Sequence, residues 1–242
     1  TEAPTGFDGA DNGFLAEFCA NQAELARTSS LSPAIPADEC SHETASEEFK
    51  GPEEESVGLG PIFNASGCGE CHIANQILGA TSQIVERRAG FWNGSTFTDH
   101  PGGSLTQDRA FDPKFQERVI PSATNTIALR STLSVLGDGF VEAISNTTLQ
   151  NIANAQPFGQ RGQLINVPVL ERPGPTRAGR FGHKDQQASL VSFSADAYLN
   201  EMGITSPLQP TENTSNGVPA PKPSDAPPPP FDDEGVDVEL FA

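Results

Sequence analysis

Cys68-Gly69-Glu70-Cys71-His72 is the stretch whose residue types and spacing commit to a chemistry. Two thiols three positions apart share one side of a helical turn, so both can bond the vinyl groups of a single porphyrin. The adjoining imidazole then points at the iron from the proximal side. The pattern is the attachment signature of c-type haem, with one covalent haem expected on Cys68 and Cys71 and with His72 as iron ligand. Two other uses of such a pair fit less well. A zinc centre needs four ligands, adjacent Cys71 and His72 do not readily reach one ion, and only Cys19 and Cys40 remain as thiols. A thioredoxin-like redox pair follows a strand in a βαβ unit, and no such pattern surrounds this one.

The second axial position of the iron divides the functions open to such a site. Met or His there gives a six-coordinate electron carrier, whereas an open or aromatic-covered face admits peroxide, oxygen or another ligand. Met202, the single methionine, closes a helix pattern, and His183 stands in Gly179-Arg180-Phe181-Gly182-His183-Lys184. These two, and a face covered by Tyr198 or Phe193, are the distal candidates. His42 and His100 read as surface residues, one in an acidic loop and the other in the turn Thr98-Asp99-His100-Pro101-Gly102. Haem c is attached outside the cytoplasm, where spare thiols pair. A Cys19–Cys40 disulfide is therefore expected, two buried free thiols being the alternative.

Stepping outward, the elements that must position these residues lie in a chain of 242 residues with 36% hydrophobic content, 23 Gly and 21 Pro. A core that poor calls for help, and a large apolar macrocycle supplies it. The net charge of −18, from 32 acidic against 14 basic residues, excludes nucleic acid and anionic lipid as partners and favours solubility. No apolar run reaches the roughly 18 residues of a membrane span, and Thr1-Glu2-Ala3-Pro4 reads as a terminus processed on export to the periplasm or beyond the cell.

Apolar spacing predicts a helix over 11–27, with Asp11 as cap and Phe14, Leu15, Phe18, Leu25 and Ala26 on one face. An acidic loop over 28–57 follows, punctuated by Pro33 and Pro36. Short strands are expected at 83–87, 118–120 and 126–130, with irregular chain over 89–115. A helix around 140–155 would bury Phe140, Val141, Ile144, Leu149 and Ile152. Another over 186–202 would bury Ala188, Leu190, Val191, Phe193, Ala197 and Tyr198. Residues 1–206 thus read as one haem-binding domain, mainly α, loop-rich and cytochrome c-like, with a few short β-strands. Nine prolines between 207 and 230 make 207–242 a Pro-rich linker or tail outside the core. Four N-x-S/T sequons, at Asn64, Asn93, Asn146 and Asn213, read as incidental.

Several blocks together resemble one family. Gly58-Leu59-Gly60-Pro61-Ile62-Phe63-Asn64 resembles the lead-in to the first haem motif of the bacterial di-haem oxidoreductases, which are similar in layout to di-haem cytochrome c peroxidases. The segments 133–144, 179–182 and 200–207 fit the same pattern, as does 2–7, so the likeness runs over most of 1–207. It implies a largely helical fold with two haem c domains, one handling substrate and the other passing electrons. It implies peroxidase-like or related redox chemistry in the N-terminal haem half of such a protein. Peroxide cleavage needs open iron, a second electron source and a nearby acid–base group, for which His183 and Glu201 are the candidates. A mono-haem electron-transfer subunit of a larger assembly is the alternative reading, and a haem-based ligand sensor a third. Partners are then a redox protein or a second haem-bearing polypeptide. By the same resemblance Tyr198 covers the distal face, and Arg130, Arg180 and Lys184 are candidates for haem propionates, since scarce cations in an acidic chain are set against anions. Two departures stand out. His183 occupies the place of a family tryptophan, and a family member would continue past Leu240-Phe241-Ala242 into a second C-x-x-C-H domain.

Overall fold

A computed structural model describes residues 42–72, 79–80, 84–172, 174–228 and 230–241. In chain order these form α1 (His42–Lys50), β1 (Ile62–Phe63), β2 (Ile84–Trp92), β3 (Phe97–Asp99), β4 (Leu105–Thr106), β5 (Arg109–Ala110) and β6 (Thr126–Ser131). Then come α2 (Asp138–Ala143), α3 (Asn146–Ala155), β7 (Asn166–Pro168), β8 (Thr176–Ala178) and α4 (Leu190–Ala197), which runs into a π-helical turn, Tyr198–Met202. The hairpin strands β9 (Thr214–Ser215) and β10 (Val218–Pro219), then α5 (Val236–Leu240), complete the order.

The expectation of a mainly α fold is overturned. Helix makes up about 30% of the described residues and strand about 20%, as short helices among small antiparallel sheets. Several local differences from the expected elements stand out. Residues 89–115 carry four strands instead of irregular chain, because β2 continues through Trp92 and pairs with β3 and β4 along one edge and β6 along the other. Residues 118–120 are not a strand. The helix expected at 140–155 is two, broken at Ile144–Ser145, where the Ser145 hydroxyl accepts from Thr148 N and starts α3 afresh. Neither piece buries the residues assigned to a core; Phe140 and Ile152 are exposed. Within the acidic loop, His42–Lys50 is helical. The helix predicted over 11–27 lies outside the described residues.

The chain divides into two compact units. One comprises Ser46–Val135 and Asp196–Glu234. Its core joins the lead-in Leu59, Ile62 and Phe63 to Tyr198, Leu199, Met202 and Ile204. Main-chain bonds hold the two segments together: Gly60 N donates to Met202 O at 2.9 Å, and Asn64 N and Ala65 N to Glu201 O at 2.7 and 3.1 Å. The approach is so close that a Cβ on Gly60 would stand 2.2 Å from Gly203 O, while Gly203 itself takes φ +69°, so both positions require glycine. The Pro-rich stretch is built into this unit. Asn216-Gly217 makes a two-residue turn with both φ positive. Ser215 and Ala220 are buried, and Asn213 Nδ2 donates to Leu199 O at 2.7 Å. The expectation that this stretch stays outside the core does not hold for those residues.

The other unit comprises the described residues of Thr1–Ala45 with Leu136–Ala195 and Gly235–Ala242. Its buried side chains include Val169, Ala178, Phe181, Ala188, Ala195 and Val238. Glu142 organises it, pairing with Arg177 at 2.6 Å and accepting from Leu190 N at 3.0 Å at the start of α4. Among the described residues no helix is long and apolar enough to cross a membrane.

Candidate functional site

The Cys68–His72 segment begins with a single 3-10 turn, Cys68–Glu70. Cys68 O accepts from both Cys71 N, at 3.1 Å, and His72 N, at 3.0 Å. That bonding puts the two thiols and the imidazole on one turn, as their spacing implied. The turn lies directly on the C-terminal end of α1: a Cβ on Gly67 would meet Gly51 O at 2.2 Å. Glu70, between the cysteines, anchors it from outside. Its carboxylate accepts from Ser66 N at 2.9 Å and from both terminal nitrogens of Arg109, at 2.6 and 3.2 Å. Arg109 reaches it because β5 pairs Arg109 with Phe63 of β1, whose ring lies 6.0 Å beneath the guanidinium. The Arg109 hydrogen bonds hold the Glu70 carboxyl down to about 2, outweighing its partial burial.

Neither thiol is in a disulfide among the described residues. Burial, aided by Glu53, pushes the Cys68 thiol up to about 12. Burial, with Glu201 and Glu70 nearby, pushes Cys71 up to about 11, against a small opposite effect of the Thr132 hydroxyl beside it. Thiols held neutral by burial are slow in disulfide exchange, which counts against a thioredoxin-like use. His72 is shifted down by burial, more than the nearby Leu133 and Gly79 main chain shifts it up. Burial thus favours the neutral imidazole, the form that ligates iron. Its Nδ1 is buried without a hydrogen-bond partner, and the Phe49 ring of α1 flanks it at 5.9 Å. The donor set on one turn, with a buried and unpartnered imidazole nitrogen, fits a covalent haem.

Behind the turn lies a half-buried acid. Glu201 accepts from Asn64 Nδ2 at 2.7 Å. Burial, and then repulsion from Glu86, raise its carboxyl to about 7. Asn64 is itself buried and also accepts from Asp108 N, so its sequon is structural.

The other sequence candidates scatter. Met202 and Tyr198 are buried in the motif's own unit, along the π-helical turn that packs on the lead-in. His183 is exposed and belongs to the other unit, as does Phe193, whose ring pairs with Phe181 at 6.3 Å. Arg130 faces Glu86 at 3.4 Å. Arg180 spends its guanidinium on the carbonyls that end α2, Val141, Glu142 and Ile144, and on Asn146. Lys184 is exposed. Cys19 and Cys40, with their expected disulfide, lie outside the described residues, and the side chain of His42 is not described. His100 is no surface residue: it is 2% exposed, its Nε2 accepts from Ile120 N at 2.9 Å, and its Nδ1 faces Pro101 O at 3.2 Å. The Glu70–Arg109 clamp and the Thr132 neighbour escaped the sequence reading. A charge inside the signature, in a chain so short of cations, was the one available signal for the clamp.

Comparison with family models, with curated proteins and with solved structures finds no match.

Proposed function

We propose that this chain is an exported c-type cytochrome, with one haem held covalently by Cys68 and Cys71 and ligated by His72, acting as the N-terminal haem half of a di-haem, peroxidase-like oxidoreductase. The observation that supports the reading is one turn, closed by Cys68 O accepting from Cys71 N and His72 N, that carries two thiols and an imidazole side by side. The haem supplies one-electron redox chemistry; the chain anchors it and sets its surroundings. Its partner is a redox protein or a second haem-bearing polypeptide. A mono-haem electron carrier is the rival, favoured by the burial of Met202 beside the motif's lead-in.

The first test is the pyridine haemochrome spectrum and intact mass of the denatured, purified polypeptide. One haem per chain that survives denaturation is expected, and its loss in Cys68→Ala/Cys71→Ala. A colourless chain of unmodified mass overturns the proposal. For the native protein, high-spin ferric iron that reacts with peroxide supports the oxidoreductase. A six-coordinate Met–iron spectrum inert to peroxide supports the carrier.

A further inference from the structure

One face of β6 is apolar yet in water. Ile127 is 54% exposed, Leu129 57% and, two residues past the strand, Leu133 58%. Ile84, which pairs with Ser131, is 58% exposed. The residues between them turn the other way: Arg130 reaches Glu86, and Thr132 is buried. Single exposed apolar side chains are ordinary, but a run on alternate residues leaves a contiguous strip that an apolar body would cover with gain.

The strip begins at the motif and ends at two unpaired cations. At one end the Leu133 main chain stands by the His72 ring, and Thr132 lies beside the Cys71 thiol. At the other, Ile127 helps wall an open cleft of about 490 Å³ with Arg87, Arg118 and Val119. Arg87 is the cross-strand neighbour of Leu129, so it shares that face. Asp108, next to the Arg109 that clamps Glu70, also lines the cleft, which keeps it near the motif. Glu117 lines it too, with its carboxylate taken by Gln107 N and Asn216 N. Among the described residues neither the Arg87 nor the Arg118 side chain forms an ion pair or hydrogen bond, although Arg88, Arg109, Arg130 and Arg177 all meet carboxylates. In a chain with 32 acidic and 14 basic residues, two idle guanidiniums in one cleft call for an anion.

We infer that the strip and cleft seat the porphyrin anchored at Cys68, Cys71 and His72: the macrocycle lies on Leu133, Leu129 and Ile84, and its two propionates meet Arg87 and Arg118. The inference rests on the haem reading above. Leu129 and Leu133 are four residues apart, about 13 Å along an extended chain, which suits one macrocycle. It also replaces Arg130 and Arg180 as propionate partners, since the guanidiniums of both are already engaged.

The test uses the haem-loaded protein and reads the midpoint potential and the propionate-bending mode in resonance Raman. Arg87→Gln and Arg118→Gln each lower the potential and shift that mode, the double variant does so further, and Arg→Lys at either position restores most of the potential. Arg172→Gln, an exposed arginine of the other unit, serves as control. Cleft variants that behave like Arg172→Gln, or a shift seen only in Arg130→Gln, overturn the inference. A wild-type chain without haem instead sinks the haem reading itself.

Discussion

Replacing Glu201 with Gln separates the electrostatics of this half-buried acid from its packing. The folded carboxyl sits at about 7 against an ordinary 4.5. Burial is the main cause and Glu86 the next, opposed by the Asn64 hydrogen bond and by Arg88. Below pH 4.5 folded and unfolded chains both hold the proton, and no difference arises. Between about 4.5 and 7 the folded chain keeps a proton that the unfolded chain releases, so stability falls as pH rises. Above 7 the loss is complete. At about 1.36 kcal/mol per pH unit the gap amounts to about 3 kcal/mol. Gln keeps an acceptor for Asn64 Nδ2 and carries no charge. Glu201→Gln is therefore expected to match wild type near pH 4.5 and to exceed it by up to about 3 kcal/mol at pH 8. Urea unfolding from pH 4.5 to 8, followed through the fluorescence of the single tryptophan, Trp92, measures both curves. A difference that stays flat across this range, or a wild type more stable at pH 8, refutes the reasoning.

Three further outcomes test the scaffold by the same unfolding measurement. Gly60→Ala drives a methyl into Gly203 O, 2.2 Å away, and strains the neighbouring main-chain bonds; a loss of about 3 kcal/mol is expected. His100→Leu leaves Ile120 N–H without its acceptor in a buried site and costs about 2 kcal/mol. Ser145→Ala removes the cap of α3 and costs about 1 kcal/mol.

What could be read from the sequence was what sequence encodes directly. The Cys68–His72 spacing is a local geometric statement, and the turn obeys it. The β6 strand follows from apolar periodicity over short windows, and the helix expected over 186–202 is α-helical only over Leu190–Ala197, with 186–189 outside it and Tyr198–Met202 a π-helical turn. The mixed fold was hidden because β2 owes its length to pairing on both edges, which no window of its own residues reveals. Asn216-Gly217 is a strong hairpin signal, masked here by the prolines around it. His100 sits in a run that reads as a turn, and only the fold brings Ile120 N–H to its ring. Net charge likewise treats acids as interchangeable. The structure holds Glu70 near 2 and Glu201 near 7, five orders of magnitude apart in proton affinity.

The seam of Gly60 against Gly203 also sets an order of assembly. Asn64 and Glu201 are 137 residues apart in the chain, and the lead-in finds its main-chain partners only in that later segment. The seam therefore cannot close until the chain has been made as far as Ile204, and contacts so remote in sequence form slowly. Local turns and hairpins on either side of it can form first, and the two glycines meet last.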